Sequence, residues 1–185
     1  MIILEGHRQM AEVGFARFSA REVAKRIGYS IGTIYNVFGS HDRLVFAINT
    51  RTFRLWADHL CARLETTHGD RIRVLVEGYF SFARENPNLW MAIYDHRLPP
   101  DAAIPEEYEV QRAELTEIVT AEVAAALPEG VRPDAPRLAR SLIATVHGHC
   151  TFALNGTFAL MGETDPLGLT LQRVRESLTS GGEGD

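Results

Sequence analysis

The chain has 185 residues, of which 45% are hydrophobic and 23% charged, so it is long enough for one sizeable core or for a small module joined to a larger one. It contains no apolar run of the roughly 18 residues that a membrane span requires, and no basic segment followed by an apolar one at its start, as a secretory signal would have. We therefore expect a cytoplasmic protein and exclude integral membrane proteins.

The net charge of −5 is unevenly distributed along the chain. Residues 1–55 carry eight Lys and Arg against four Asp and Glu, whereas the remainder is strongly acidic. A basic amino-terminal module is compatible with a polyanionic partner such as DNA. The two cysteines, Cys61 and Cys150, are far apart and lack Cys-x-x-Cys spacing, so we expect two buried thiols rather than a disulfide or a zinc site.

Helical periodicity runs through almost the whole chain, and no segment alternates with a period of two, which predicts an all-α fold. Ser19, Ser30 and Ser40 are predicted N-caps, and Glu22 lies where it completes a capping box with Ser19. The residues after 180 are predicted to form a disordered tail. The predicted helices cover residues 1–13, 20–27, 31–37, 41–66, 70–85, 87–97, 105–127, 135–155 and 166–179.

Residues 20–38 have the pattern of a helix-turn-helix, a motif that places a recognition helix in the DNA major groove. Ala24 is small where the two short helices cross, Gly28 lies where the turn needs positive φ, and Tyr29 completes the turn. The apolar contacts between the helices are predicted at Val23, Ile27, Ile34 and Val37.

These positions resemble the TetR family of transcriptional regulators, through Gly14-Phe15, Ser30-x-Gly32-Thr33-Ile34-Tyr35-x-x-Phe38 and Ser40-x-Asp42-x-Leu44. The later part is similar to the WHG-type ligand-binding domain of that family, through residues 79–90 and Val146-His147-Gly148. The resemblance implies a three-helix helix-turn-helix domain at 1–48, followed by an antiparallel helical bundle at 49–180 for ligand binding and dimerisation. It also implies a homodimeric regulator, in most cases a repressor, that releases operator DNA when a small molecule binds.

By this resemblance, the hydroxyls of Thr33 and Tyr35 bind phosphate, while Gly32 lets the backbone approach the DNA closely. A half-buried position between helices is the alternative for Tyr35. Asn36 is suited to a bidentate contact with adenine, and Ile31 to a thymine methyl. The full predicted DNA-binding set is Ser30, Ile31, Gly32, Thr33, Tyr35, Asn36, Ser19, Arg21 and His41.

Three departures from the family pattern weaken the predicted DNA contact. Ile31 and His41 stand where a lysine is common, and Val37 stands where a histidine is frequent. Fewer phosphate contacts imply weaker nonspecific binding and a shallower salt dependence. The second hypothesis is therefore a helical ligand-binding or interaction protein whose helix-turn-helix no longer binds DNA firmly.

The helix at 135–155 is apolar nearly all round, and its small residues Ala139, Ala144 and Gly148 allow close approach of another helix. We expect it to form a four-helix dimer interface with the helix at 166–179; burial inside a monomer is the alternative. The predicted ligand-binding residues are Tyr79, Phe82, Trp90, Tyr94 and His147, although such aromatics can equally be core. Because this set lacks Lys and Arg, an apolar or aromatic effector is expected.

No catalytic or cofactor motif is present in the sequence, so we expect neither an enzyme nor a bound cofactor. His147 and His149 point away from each other on one helix and cannot share a metal ion, and His147 with Cys150 lacks a nearby carboxylate. No metal site is therefore predicted. A bundle enzyme using His147 or His96 would need a base and a nucleophile that the sequence does not supply.

Overall fold

The computed structural model describes residues 1–97 and 103–180, and this part of the chain is helical and contains no β-strand. The predicted all-α fold is confirmed, whereas the predicted disordered tail at 181–185 lies outside the described residues. The α-helices are α1 (Ile2–Val13), α2 (Ala20–Arg26), α3 (Ile31–Phe38), α4 (His41–Glu65), α5 (Arg71–Glu85), α6 (Pro87–Asp95), α7 (Glu106–Ala126), α8 (Ala135–Leu154), α9 (Thr157–Leu160) and α10 (Pro166–Ser180).

Serine side chains begin α2, α3 and α4, as the sequence predicts. Each Oγ accepts a hydrogen bond from the backbone N–H three residues later, which satisfies a donor that the first turn leaves unpaired. The distances are 3.4 Å for Ser19 with Glu22, 3.1 Å for Ser30 with Thr33 and 3.1 Å for Ser40 with Arg43.

The predicted capping box at Ser19 is only half formed. The Ser19 N–H donates to the Gln9 side-chain oxygen at 3.1 Å, while the Glu22 carboxylate lies 3.5 Å from Arg26. A side chain of α1 thus replaces the local partner, and it ties the start of α2 to the helix before it.

Three short elements are absent from the sequence prediction: α9 and the 3₁₀-helices Phe15–Arg17 and Glu129–Asp134. Elements this short show too few residues for a periodic apolar pattern. Asn155 and Gly156 begin α9, because Gly156 takes a φ of 78° and the Asn155 side chain accepts from the Thr157 N–H at 3.0 Å.

The chain divides into two compact units. Unit 1 consists of Met1–Trp56 and Glu85–Ala113, and unit 2 consists of Ala57–Arg84 and the chain from Glu114 onward. Unit 1 therefore contains the predicted DNA-binding residues together with α6 and the first part of α7. The domain boundary that the sequence placed at residue 48 stays a prediction.

Unit 1 has an apolar core to which α1, α2, α3, α4 and α6 all contribute. Ile34 of α3 is fully buried, and Leu89 and Ala92 of α6 belong to the same cluster as the helix-turn-helix residues. The buried members are Met10, Ala20, Val23, Ala24, Ile34, Leu44, Val45, Ile48, Leu89 and Ala92. The recognition helix is thus held by the same core as α6.

In unit 2, α8 packs along α10, with Val146 and Cys150 buried on the first helix and Leu171 and Val174 buried on the second. Burial raises the pKa of the Cys150 thiol to about 12, so this thiol is an inert apolar group, as predicted. The expectation for Cys61 is wrong, because this residue is exposed. Among the described residues, no helix is long and apolar enough to cross a membrane.

Candidate functional site

The turn between α2 and α3 has the geometry that the sequence predicts. Gly28 takes a φ of 73°, and the Tyr29 N–H donates to the Ala24 carbonyl at 2.9 Å, which closes the end of α2. Val23 and Ala24 of α2 and Ile34 of α3 are all buried, so the two helices pack tightly. These residues form a helix-turn-helix.

Val37 differs from the prediction that it would pack between the two helices. Its side chain is 62% exposed, and it lines a shallow groove between the start of α1 and α3. The helical period explains the difference: Ile34 occupies the buried face of α3, and a residue three positions later lies at the edge of that face.

The outer surface of α3 carries Gly32, Tyr35 and Asn36, all of which are exposed. Tyr35 is 42% exposed, so part of its ring is packed and part is accessible to a partner. Ile31 is partly buried against the unit 1 core, which leaves only part of its side chain for a base contact.

The hydroxyls of Ser30 and Thr33 contact each other at 3.0 Å, and Ser30 Oγ also caps α3. Ser30 is therefore needed to begin the recognition helix, in addition to any contact with DNA. Ser19 is half-buried as the cap of α2, and His41 is half-buried with its ring 5.7 Å from that of Phe18. A structural role accounts for each of these three side chains.

Four cations remain available on unit 1 near the helix-turn-helix. Arg17, Arg21, Lys25 and Arg43 are exposed and form no ion pair with any described residue. Arg26 is different, because its guanidinium lies within 2.7 Å of Glu12, 3.4 Å of Glu5 and 3.5 Å of Glu22. The hydrogen bond that Arg26 donates to Glu12 is the main cause of the raised pKa of Arg26, and this network ties α2 to α1.

Polar contacts that sequence reasoning missed connect α6 to the helices of unit 1. Asn49 Nδ2 donates to the Ala92 carbonyl at 3.3 Å, and Asn88 Nδ2 donates to the Ala11 carbonyl at 2.7 Å. Asn49 is fully buried directly after the apolar run 44–48 of α4, and a polar residue that continues the buried face of this run was the signal that could have identified it.

His96, just after α6, makes a second connection to α4. Its Nε2 lies 3.1 Å from Oδ1 of Asp42, which is in the first turn of α4. The imidazole ring packs beside Phe15 and Phe46, with centroid distances of 5.6 and 5.1 Å. The contact fixes the start of the helix that follows the recognition helix.

Unit 2 contains an aliphatic cavity of about 40 Å³. Its walls come from α4, α5, α7, α8 and α10, and the surface that they present to the cavity is entirely apolar. The lining residues are Leu60, Ile72, Leu75, Val76, Tyr79, Val119, Val123, Leu142, Ile143, Val146 and Val174. A space of this size holds a few water molecules at most, but its walls offer almost nothing for water to bind.

The hydroxyl of Tyr79 lies 3.0 Å from Nδ1 of His147, and one hydrogen bond joins the two side chains. Burial lowers the pKa of His147, so its imidazole is neutral at pH 7. This bond orients the Tyr79 hydroxyl at the cavity wall without placing a charge there.

The five predicted ligand residues do not all meet at this cavity. Tyr79 lines it, and His147 is hydrogen-bonded to Tyr79; Phe82 is buried in the same unit, its ring 5.8 Å from that of His59. Trp90 and Tyr94 belong to unit 1, where Trp90 is 1% exposed and Tyr94 is 40% exposed. The lining is mostly aliphatic, and sequence patterns do not separate such residues from ordinary core.

The described part of the chain contains no cluster of three or more His, Cys, Asp or Glu side chains that could hold a metal ion. His149 instead contacts the Thr145 carbonyl of its own helix at 2.8 Å.

The carboxy-terminal half of the outer face of α8 is apolar and exposed in one chain, whereas Arg137, Arg140 and Ser141 are exposed in its first half. Ala144 and Gly148 are exposed, Phe152 is 43% exposed, and the adjoining α9 exposes Leu160 almost completely. Leu171 of α10, a residue expected at a dimer interface, is buried inside unit 2 and does not reach the surface.

Two family models match the chain. One, described as "Bacterial regulatory proteins, tetR family", covers residues 2–48, and the other, "Tetracyclin repressor-like, C-terminal domain", covers residues 72–172. The chain belongs to the TetR family. It is a transcriptional regulator with a helix-turn-helix DNA-binding domain, and members of this family are not enzymes.

Solved structures share the fold of this TetR-family chain over nearly its whole length. A protein of unknown function from Rhodococcus sp. RHA1 is 20% identical, with a TM-score of 0.75 over 98% of this chain and 94% of that one. The multidrug binding protein EbrR complexed with imidazole is 19% identical, with a TM-score of 0.63 over 96% and 92%. FadR from Bacillus subtilis in complex with stearoyl-CoA is 14% identical, with a TM-score of 0.65 over 100% and 97%. No curated protein sequence matches the chain.

Proposed function

We propose that this TetR-family regulator is a homodimeric repressor, released from its operator by a small, largely apolar molecule that binds in the aliphatic cavity. The observation that carries the proposal is the cavity itself, because most of its walls lie within the residues matched by the C-terminal domain model. Its lining is uncharged and apolar, and the Tyr79 hydroxyl, which is hydrogen-bonded to His147, lies behind that apolar surface.

The DNA contact is assigned to α3 because its polar side chains are at least partly exposed and can form hydrogen bonds. Tyr35 and Thr33 are proposed to bind phosphate, and Asn36 to read a base edge in the major groove. Arg21, Lys25 and Arg43 add the cations, since no described residue neutralises them. His41 and Ser19 are proposed to contact phosphate only with the side-chain atoms that remain accessible beside the ring contact of His41 and the capping bond of Ser19.

A dimer is proposed through the apolar outer face of α8, with Ala144 and Gly148 allowing close approach of a second copy. Two recognition helices about 34 Å apart would then reach successive major grooves. Because Leu171 is buried within the chain, Ala144→Arg is the informative interface substitution. It should convert the dimer to monomers in sedimentation experiments without disturbing the core.

The effector class follows from the walls of the cavity. An anion would lose its hydration without gaining a cationic partner, whereas an apolar molecule with one hydrogen-bonding group can pair with Tyr79. The EbrR structure holds imidazole and the FadR structure holds stearoyl-CoA, so relatives with this fold do take small-molecule ligands.

The small size of the cavity supplies a mechanism for release. A molecule larger than the space of about 40 Å³ binds only when the helices around it repack, so it has a built-in preference for a second conformation. DNA affinity then falls by the ratio of the effector's affinities for the two conformations. Helix α4 contains residues of both units and is the proposed connection.

The competing function, a helical ligand-binding or interaction protein with weakened DNA binding, is favoured by the small number of free cations near α3. Titration of the protein against a fluorescent duplex from its own upstream region separates the two. We expect saturable, sequence-dependent binding at low salt; no binding above that to unrelated DNA would overturn the repressor proposal.

The cavity is tested in the same assay with neutral apolar compounds carrying one hydroxyl or carbonyl. Tyr79→Phe should raise the compound concentration needed to release DNA by about tenfold, the value of one buried hydrogen bond. Tyr94→Phe is the matched control, since it removes a tyrosine hydroxyl from unit 1. A response altered by the control and not by Tyr79→Phe would place the effector elsewhere.

A further inference from the structure

Unit 1 contains a second candidate site, a surface cleft of about 280 Å³ that is roomier than the aliphatic cavity. We call it the Arg51 cleft. It lies between α1, α4 and the first turn of α7, and none of its lining residues belongs to the predicted DNA-binding or effector-binding sets. They are Met1, Ile3, Leu4, Ala47, Thr50, Arg51, Arg54 and Glu107.

Arg51 is an unusual residue in this position. Its Nε atom is buried and has no hydrogen-bond partner, and its guanidinium forms no ion pair with any residue in 1–97 or 103–180. Arginine is rarely removed from water unless a carboxylate or phosphate pairs with it, because an unpaired charge loses its hydration. Arg51 as a whole is half-buried, so the cleft presents a cation for which no described residue supplies a counter-charge.

The other polar groups of the cleft already have partners. Arg54 donates to the side-chain oxygens of Gln111 at 2.9 Å and Glu107 at 2.6 Å, and the Thr50 hydroxyl donates to the Phe46 carbonyl at 2.8 Å. Because Glu107 is bound to Arg54, it does not neutralise Arg51. A negatively charged group entering the cleft meets Arg51 as its unsatisfied partner.

His7 is close enough for the charge of Arg51 to act on it. Burial, with the Arg51 charge as a smaller cause, lowers the pKa of His7 to about 4, and its Nε2 is also buried without a hydrogen-bond partner. His7 is therefore neutral at pH 7. It neither adds a second positive charge nor provides a negative one.

The remaining walls determine the rest of the ligand. Met1, Ile3 and Leu4 of α1 and Ala47 of α4 present apolar surface, and Leu4 is 55% exposed. An inorganic anion would pair with Arg51 but leave the apolar surface uncovered. A carboxylate with a short hydrocarbon body would pair with Arg51 and also cover that surface. We propose that the Arg51 cleft binds a small organic carboxylate, with its carboxylate on the Arg51 guanidinium and its hydrocarbon body against α1.

The test uses the full-length protein labelled with ¹⁵N and three probes with the same chain length: hexanoate, 1-hexanol and hexylamine. Hexanoate should produce saturable amide shifts at Ala47, Thr50 and Arg51, whereas the alcohol and the amine should leave these amides unmoved. Arg51→Gln should weaken hexanoate binding at least tenfold, because a charge-assisted hydrogen bond is lost. Arg97→Gln is the matched control, since it removes an exposed arginine of the same unit outside the cleft.

Each result decides the proposal independently of the aliphatic cavity. Shifts confined to amides of the cavity wall, such as those of Leu75 and Val76, would place hexanoate in unit 2 and overturn the Arg51 cleft. Equal binding of hexanoate by wild type and Arg51→Gln, or equal binding of hexanoate and 1-hexanol, would also overturn it. Loss of effector response in Tyr79→Phe with hexanoate binding intact would show that the two sites are separate.

Discussion

The interiors of the two units are packed differently. Unit 1 has a closed core crossed by specific polar contacts, including the buried Asn49 and the His96–Asp42 pair. Unit 2 leaves an aliphatic space between its helices, and Tyr79 is the main polar group at its wall. A domain that must present α3 in one geometry is stabilised by directional bonds, whereas a domain that accepts a ligand requires walls that can move at low cost.

The largest expected effect is that of Trp90→Ala in unit 1. Removal of this fully buried side chain leaves a large void and should lower the free energy of unfolding by about 3 to 5 kcal/mol, with DNA binding lost as a consequence. Thermal unfolding and DNA titration measure the two effects. If the variant kept its stability and changed only its effector selectivity, Trp90 would be a ligand residue and not core.

A smaller loss is expected from Asn49→Ala. The substitution removes the buried bond to the Ala92 carbonyl, which keeps only the bond from the His96 N–H, and it leaves a void beside α6; together these should cost about 2 kcal/mol in urea unfolding. Its matched comparison is Thr66→Ala at the exposed end of α4, which removes a side-chain hydrogen bond in contact with water and should cost under about 0.5 kcal/mol. Equal losses would mean that the polar contacts of unit 1 contribute no special rigidity.

His7 should make the free energy of unfolding depend on pH. Its pKa falls from the usual 6.5 in the unfolded chain to about 4 in the folded one, so between these values only the unfolded state binds the proton. Stability is therefore complete above pH 6.5 and falls as the pH is lowered toward 4. Each pKa unit is worth about 1.4 kcal/mol, but because His7 is only partly buried we expect a loss of about 1 to 2 kcal/mol.

Urea unfolding of wild type and His7→Gln at pH 7.5 and pH 4.5 isolates this contribution, since the carboxylates titrate in both proteins. The variant should lose less stability on acidification than wild type. An identical loss in both would show that His7 is not responsible.

The smallest expected effect is that of enlarging a valine at the aliphatic cavity, and the same change in the core of unit 1 is its comparison. Val123→Ile adds one methylene at the wall of the aliphatic cavity and should raise stability by about 0.5 kcal/mol while weakening effector response. Val23→Ile adds the same group to the closed core of unit 1, where overpacking should cost about 1 to 3 kcal/mol. A gain at both positions, or a loss at both, would contradict the difference in packing.

Much of the fold was predictable because its signals are local. The caps Ser19, Ser30 and Ser40 and the positive φ of Gly28 depend on residues a few positions apart, so the helix starts and the helix-turn-helix could be located from sequence. The helical period identified Ile34 as core but placed Val37 on the wrong side of α3, since a residue at the edge of an apolar stripe is decided by its neighbours in space.

The candidate sites were less predictable. Aromatic side chains predicted the ligand pocket, yet aliphatic residues such as Val76 and Val123 form most of the cavity, and apolar residues at helical spacing look the same in a tight core and in a cavity wall. Arg51 appears in the sequence as one of several arginines of α4. Only its lack of a partner, a property of the surrounding helices, sets it apart.

The sequence by itself determined the all-α class, the helix order, the helix-turn-helix and the membership of the TetR family, because caps, turn glycines and apolar periods act within a few residues. The tertiary structure alone decided that Trp90 and Leu171 are core, that Cys61 is exposed, and where a cavity and an unpaired arginine lie. Burial and empty space depend on how helices that are far apart in the sequence pack against one another, and a local pattern of residues does not specify that packing.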